Sequence, residues 1–406
     1  MNETRTAMAE RLLRAYLART GATVEAGVEP ARRYLWTDAC AVFTLVALHR
    51  RTGNPAHLAD AERLVGLVHA ALARHRPDDA RRGWISGLGE ADGAQRPTAG
   101  GLRIGKPLPE RMAGEPLQER LEWERDGQYF HYLVRWMLAL DRLSRAAFEP
   151  RWNTMALELA RRAHDAFLAP RIPGKPRSMY WKMSIDLSRP LVASMGHHDP
   201  LDGLAAAWRV QATRQDFGAD DAELAELIQD YRLLCDGVAS WSTRDALGIG
   251  GLLSSLGELI DLVATGRMPF DPLLLRIADD AGSSLAQWSS VRELGAPPGG
   301  RLAFREIGLA IGLRALPAMC EQVEEHPARF GETADRAILR ASLESAVRHL
   351  DLAARIESAW IAPAAQSAPS WSMHEDINSV MLAASLLAGS DTPHARRLLR
   401  RLSTAP

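Results

Sequence analysis

Trp371-Ser-Met-His374-Glu375-Asp376-Ile-Asn378 runs directly into residues 379–388, an apolar stretch rich in small side chains. The order is a tryptophan, then acidic residues, then a run with helical rather than strand periodicity. It recurs along the chain. Trp36-Thr-Asp38 precedes 39–48, Trp123-Glu124-Arg125-Asp126 precedes 127–140, and Trp241-Ser-Thr-Arg244-Asp245 precedes 246–260. Two further starts are polar without the nearby tryptophan: His197-His198-Asp199-Pro200-Leu-Asp202 before 203–210, and Phe304-Arg305-Glu306 before 307–316. Six apolar helices thus carry polar, mostly acidic residues at the same end.

Each apolar run is followed by a more charged one, which reads as an αα-hairpin. The pairs expected are 38–51 with 56–75, 126–146 with 151–168, and 199–214 with 222–234. They continue as 245–265 with 271–289, 306–325 with 333–357, and 376–388 with 393–402. An amphipathic helix over 8–18 leads the chain. The turn Thr52-Gly53-Asn54-Pro55 shows the punctuation between partners: a glycine stop, a capping asparagine and a proline at the first helical position. Two stretches break the rhythm. Residues 76–121 are dense in Gly and Pro, and 171–196 hold Tyr180-Trp181-Lys182 and Asp186-Leu-Ser-Arg189-Pro190. Both read as loops over one end of the molecule, where long loops usually carry function. No segment alternates like a strand, so a sheet-based fold is not expected.

The apolar helices also hold glycines: Gly203, Gly248, Gly250, Gly251, Gly308 and Gly312. Glycine inside a helix costs about 1 kcal/mol relative to alanine, a cost that makes sense where backbones must approach closely. Six hairpins with buried first members close into a ring. In this architecture the chain resembles the six-hairpin glycosidase-like superfamily. The resemblance covers essentially the whole chain and implies one all-α domain over 1–406, an (α/α)6 toroid with long mouth loops at 76–121 and 171–196.

Bulk composition narrows the function classes. Forty-nine basic and 50 acidic side chains leave a net charge near zero. No basic block stands out, so nucleic acid is not an expected partner. Cys40, Cys235 and Cys320 are widely spaced and form no ligand pattern, which points to a reducing, cytoplasmic setting. No run of about 18 uncharged apolar residues is present, so no membrane partner is expected. Neither a metal nor another cofactor is expected. His197-His198-Asp199 and His374-Glu375-Asp376 place neighbours on different sides of a helix, and HxxxH and HExxH spacings are absent. The DxDD and DDxxD patterns of terpene cyclases and the zinc cysteines of lanthionine cyclases are absent too.

In a toroid all inner helices run the same way and open their amino ends into one mouth. Carboxylates there have a plain explanation, since they cap helices and suit the dipole. The outer helix starts serve as a control. Asn54-Pro55, Glu149-Pro150, Asp271-Pro272 and Thr392-Pro393 show capping chemistry with no tryptophan just before them. The inner starts have Trp36, Trp123, Trp241 and Trp371 close upstream, in a chain with 11 Trp against 6 Tyr and 8 Phe. Tryptophans gathered at a mouth form a floor for the apolar face of a sugar ring.

Glycoside hydrolysis needs two carboxyl groups flanking one bond. Asp126 and Asp376 are the first candidates, with Asp199 third. Gln128, Tyr129 and His131 accompany Asp126; His374, Glu375 and Asn378 accompany Asp376. Asp38, Asp202, Asp245 and Glu306 complete the set, and Lys182, Arg244 and Arg305 suit a carboxylate or phosphate on the substrate. A small molecule or oligosaccharide is the expected partner and a glycoside hydrolase the main functional expectation. Two alternatives stand beside it: a sugar epimerase or isomerase moving a proton between His198 and His374, and a toroid that binds a glycan or protein without catalysis.

Overall fold

The structure is a computed structural model that describes residues 4–23, 32–173, 177–219, 224–290, 294 and 296–389. It divides into two compact units, Arg14–Gly237 and Met1–Leu13 with Val238–Pro406. The leading helix α1 (Arg5–Arg19) has residues in both.

The Arg14–Gly237 unit continues with α2 (Leu35–Thr52), α3 (Ala56–Leu72) and two short helices, α4 (Glu90–Gln95) and α5 (Glu119–Glu122). Strand β1 (Gln128–Tyr129) leads into α6 (Phe130–Ala147), which turns into α7 (Pro150–Phe167). Strands β2 (Lys182–Met183) and β3 (Pro190–Val192) precede α8 (Asp199–Asp216) and α9 (Ala225–Asp236). Three hairpins result: α2/α3, α6/α7 and α8/α9. Their first members form a row in which α6 packs against both α2 and α8. Helix α2 is buried along nearly its whole length, as expected of a run with no charged residue between Asp38 and His49. It stops at Gly53, whose φ of 69° is the left-handed cap glycine tolerates.

The other unit contains α10 (Ala246–Ala264), α11 (Leu273–Ser290), α12 (Ala303–Glu325), α13 (Thr333–Val347) and α14 (Asp351–Ile361). Two short helices follow, α15 (Pro363–Gln366) and α16 (Pro369–Ser372), and then α17 (Glu375–Leu387). Helix α12 is central, packed on α10, α13, α14 and α17. The glycine argument is visible here: a Cβ on Gly250 would lie 2.0 Å from the carbonyl oxygen of Gly308. Helix α10 is long and apolar enough to cross a membrane by length and composition alone, but 61% of that window is buried inside the protein.

Three expectations change. The helix expected over 333–357 is two helices, α13 and α14, parted at 348–350 without a proline or glycine. The irregular stretch 171–196 contributes real structure: its β2 and β3 join β1 in a small antiparallel sheet, with Gln128 opposite Met183 and Lys182 opposite Val192. Strands of two or three residues are too short to show alternation. Asp126 does not start a helix, because β1 intervenes before Phe130. The helix expected over 393–402 lies outside the described residues.

Candidate functional site

The sheet and its loops cover the amino ends of α2 and α6. Ile104 accepts a hydrogen bond from the Leu35 amide and donates to Gly127, so one loop residue joins both helix entrances. Arg81 then ties the loops together, pairing with Asp79, Glu110 and Asp186, while Glu110 accepts from the Ile185 amide at 2.6 Å. Loops held this way act as a rigid collar.

Inside the collar lies a continuous group of rings. Trp36 at the start of α2 meets His131 and Tyr132 at the start of α6, with centroids 5.8 and 5.3 Å apart. Tyr129 lies 5.4 Å from His131 and 5.1 Å from Trp181, which runs nearly parallel to His131 at 6.2 Å. Trp123, half exposed, packs edge-on against Trp181 at 4.9 Å. The hydroxyls of Tyr34 and Tyr132 are hydrogen-bonded. Tyr34, His131, Tyr132 and Trp181 all keep partial exposure, so the group presents an accessible aromatic face.

Asp199, the first residue of α8, borders that face. Its Oδ1 stands 3.9 Å from His131 Nδ1. Three buried polar atoms there have no hydrogen-bond partner among the described residues: Asp199 Oδ2, His131 Nδ1 and Trp36 Nε1. Buried polar groups are normally satisfied, so three orphans in adjoining side chains set this spot apart from the well-paired collar around it. Burial pushes the Asp199 carboxyl up to about 8; the Asp202 carboxylate adds to this and the backbone of Gly196 pulls the other way. Burial pulls His131 down to about 3, helped by the Arg135 charge. Its side chain keeps 24% of its surface, yet Nδ1 itself is sealed from solvent. Near pH 7 the pair is therefore a protonated acid beside a neutral imidazole. Gly196 makes room for the acid: a Cβ there would sit 2.3 Å from Asp199 Oδ2.

Other residues singled out in the sequence have structural duties. Asp126 is fully buried and accepts from Arg103 at 2.6 Å, from Arg76 at 3.4 Å, and from the amides of Gly105, Lys106 and Gly127. A carboxylate held by five donors is poorly placed to deliver a proton, so we reassign it to pinning the collar. Asp38 accepts from Tyr16, Arg33 and the Tyr34 amide. Gln128 clamps Leu102, Gly100 and Ile185. Lys182 is buried on Glu122 and two carbonyls. His198 occupies the cap position of α8 against His197, and Asp202 lies one turn past Asp199.

In the other unit, α10, α12 and α17 also bring their amino ends together. Asp245 caps α10 through the Gly248 amide and pairs with Arg305 at 2.6 Å. Glu306 is engaged by Arg301 and the Trp360 indole, and Trp371 is buried against Trp360. Asn378 bridges the Phe304 amide and the Trp371 carbonyl, and His374 lies edge-on to Phe304. Trp241 is core, while Arg244, Glu375 and Asp376 are exposed.

Sequence reasoning passed over Tyr34, Tyr132, Lys106 and Arg135. The tyrosines flank residues it did select, so an aromatic count at each helix start finds them. The two cations sit among many charged residues, with no local signal to mark them.

No family model matches the sequence, and no curated protein matches it. Solved structures do resemble it. One is an inactive variant of the alpha-1,6-mannanase GH76A of Salegentibacter sp. HEL1_6 in complex with alpha-1,6-mannotetrose, at TM-score 0.52 and 12% identity, covering 95% of this chain and 99% of that one. A structure of the same mannanase without a named ligand aligns at 0.50 and 12% identity over 94% of this chain and 98% of that one. A cellobiose 2-epimerase from Spirochaeta thermophila DSM 6192 aligns at 0.47 and 14% identity, over 86% and 96%. The likeness shows the fold, an all-α (α/α)6 toroid.

Proposed function

We propose that the protein is a glycoside hydrolase acting on an oligosaccharide, with Asp199 as the general acid. The observation that carries this is a buried carboxyl, neutral near pH 7, at the rim of an accessible aromatic face. Protonating a glycosidic oxygen requires such an acid, and burial is the usual way to keep one protonated. The rings of Trp181, Tyr132 and their neighbours stack on the apolar face of a sugar. The likeness to a mannanase bound to a mannose oligosaccharide supports the substrate class.

The second carboxyl group in this reading is Asp202. Positions three apart on a helix share a face, with Cβ atoms about 5–6 Å apart. Asp202 adds to the burial that raises the Asp199 carboxyl and is the group we assign to activating water. Asp202→Asn should therefore remove turnover as well.

The test is Asp199→Asn, which keeps the shape of the neutral acid and removes its proton. With alpha-1,6-mannotriose and a panel of other oligosaccharides, kcat should fall by about 10²–10⁴-fold, the usual worth of general acid–base catalysis. Sugar binding should persist. Turnover at the wild-type rate in Asp199→Asn would overturn the assignment.

A further inference from the structure

In the Arg14–Gly237 unit, basic side chains shielded from water are generally matched by carboxylates. Arg33 pairs with Asp38, Arg103 with Asp126, Arg111 and Lys182 with Glu122, and Arg177 with Asp230. Two half-buried cations have neither a carboxylate nor a carbonyl partner among the described residues, and both lie on the aromatic group. The Arg135 guanidinium is 5.2 Å from the centre of the Trp36 ring, and the Lys106 ammonium is 5.6 Å from the centre of the Tyr34 ring. Neither side-chain head forms a hydrogen bond or ion pair among the described residues. The field of Glu124 reaches Lys106, as does that of Asp126, but Asp126 is already held by Arg103 and Arg76. Burial lowers the Lys106 ammonium from its ordinary range, the sign of a charge short of compensation.

A cation taken partly out of water without a counter-ion costs free energy. Its contact with a ring returns only part of that cost. Arg135 also sits one turn along α6 from His131, beside the unpaired Trp36 Nε1–H donor. Arg135 and Lys106 thus offer donors at the aromatic group that no acceptor among the described residues takes up.

We propose that the bound sugar carries an anionic group, a carboxylate or a phosphate ester, received by Arg135 with Lys106 in support. This rests on the carbohydrate reading above and narrows it. A guanidinium meets either oxyanion with two parallel hydrogen bonds, and such charge-assisted bonds are stronger than neutral ones.

Calorimetric titration tests this on the full chain at low salt, with trimannuronate against mannotriose and mannose 6-phosphate against mannose. The wild type should bind an anionic member roughly tenfold or more tightly than its neutral counterpart, the factor that about 1.4 kcal/mol gives. Added salt should shrink the gap. Arg135→Gln should close it by weakening the anionic member, and Arg135→Lys should restore part of it. Lys106→Gln, in a loop, gives a second reading if Arg135→Gln does not fold. A preference for trimannuronate assigns a uronic acid, and a preference for mannose 6-phosphate assigns a phosphorylated sugar. Equal binding of neutral and anionic members overturns the proposal and leaves the carbohydrate reading standing. Binding of no sugar takes down both.

Discussion

Asp126 and Asp199 show two ways a protein can treat a buried carboxyl. Asp126 is surrounded by five donors, while Asp199 is buried near a second acid, and burial raises its pKa. In sequence they look alike, each an aspartate ahead of an apolar run. The difference comes from Arg76, Arg103 and Gly105, which lie on a distant loop, so no local reading separates the two. Opposite consequences follow. Asp126→Asn leaves Arg103 and Arg76 short of a buried counter-charge, and should cost about 3–5 kcal/mol in urea unfolding. An unchanged midpoint would refute the pinning role. Asp199 has its folded pKa raised from 3.8 to about 8. The folded state therefore holds a proton that the unfolded chain releases, and stability falls as pH rises through that window. Asp199→Asn has no such proton, so its stability should fall less between pH 4 and 8 than that of the wild type. Parallel curves would contradict the neutral acid.

The helices were legible because their apolar faces repeat at the helical period and their ends carry Gly, Pro and capping residues, as at Gly53 and Pro150. The break at 348–350 was not, since nothing there stops a helix locally. The collar was missed for the opposite reason: its strands are short, and its strength lies in side chains such as Arg81 and Gln128 reaching across the sequence. Glycine placement was readable and can be tested by a sign. On helix propensity alone, Gly250→Ala should stabilise α10 by about 1 kcal/mol. Its Cβ would instead strike the Gly308 carbonyl at 2.0 Å, and forced overpacking costs about 1–3 kcal/mol or more. We therefore expect net destabilisation in denaturant melts, and a raised melting point would show that α10 and α12 are not so close.

At the level of the whole chain, the recurring acidic starts were a sound guide to architecture and a poor guide to chemistry. The toroid follows from the hairpin count and the order of apolar and charged runs. Most of the acids at those starts are spent on caps and ion pairs, Asp38, Asp245 and Glu306 among them. What distinguishes Asp199 is a shortage of partners, a property that emerges only when α2, α6 and α8 pack. If that shortage serves hydrolysis, the rate must follow its proton. The most direct measurement is the pH dependence of kcat/KM for oligosaccharide hydrolysis. The wild type should lose activity through a single ionisation near pH 8, with that limb missing from the residual rate of Asp199→Asn. A wild-type profile that stays level from pH 7 to pH 10 would contradict the account.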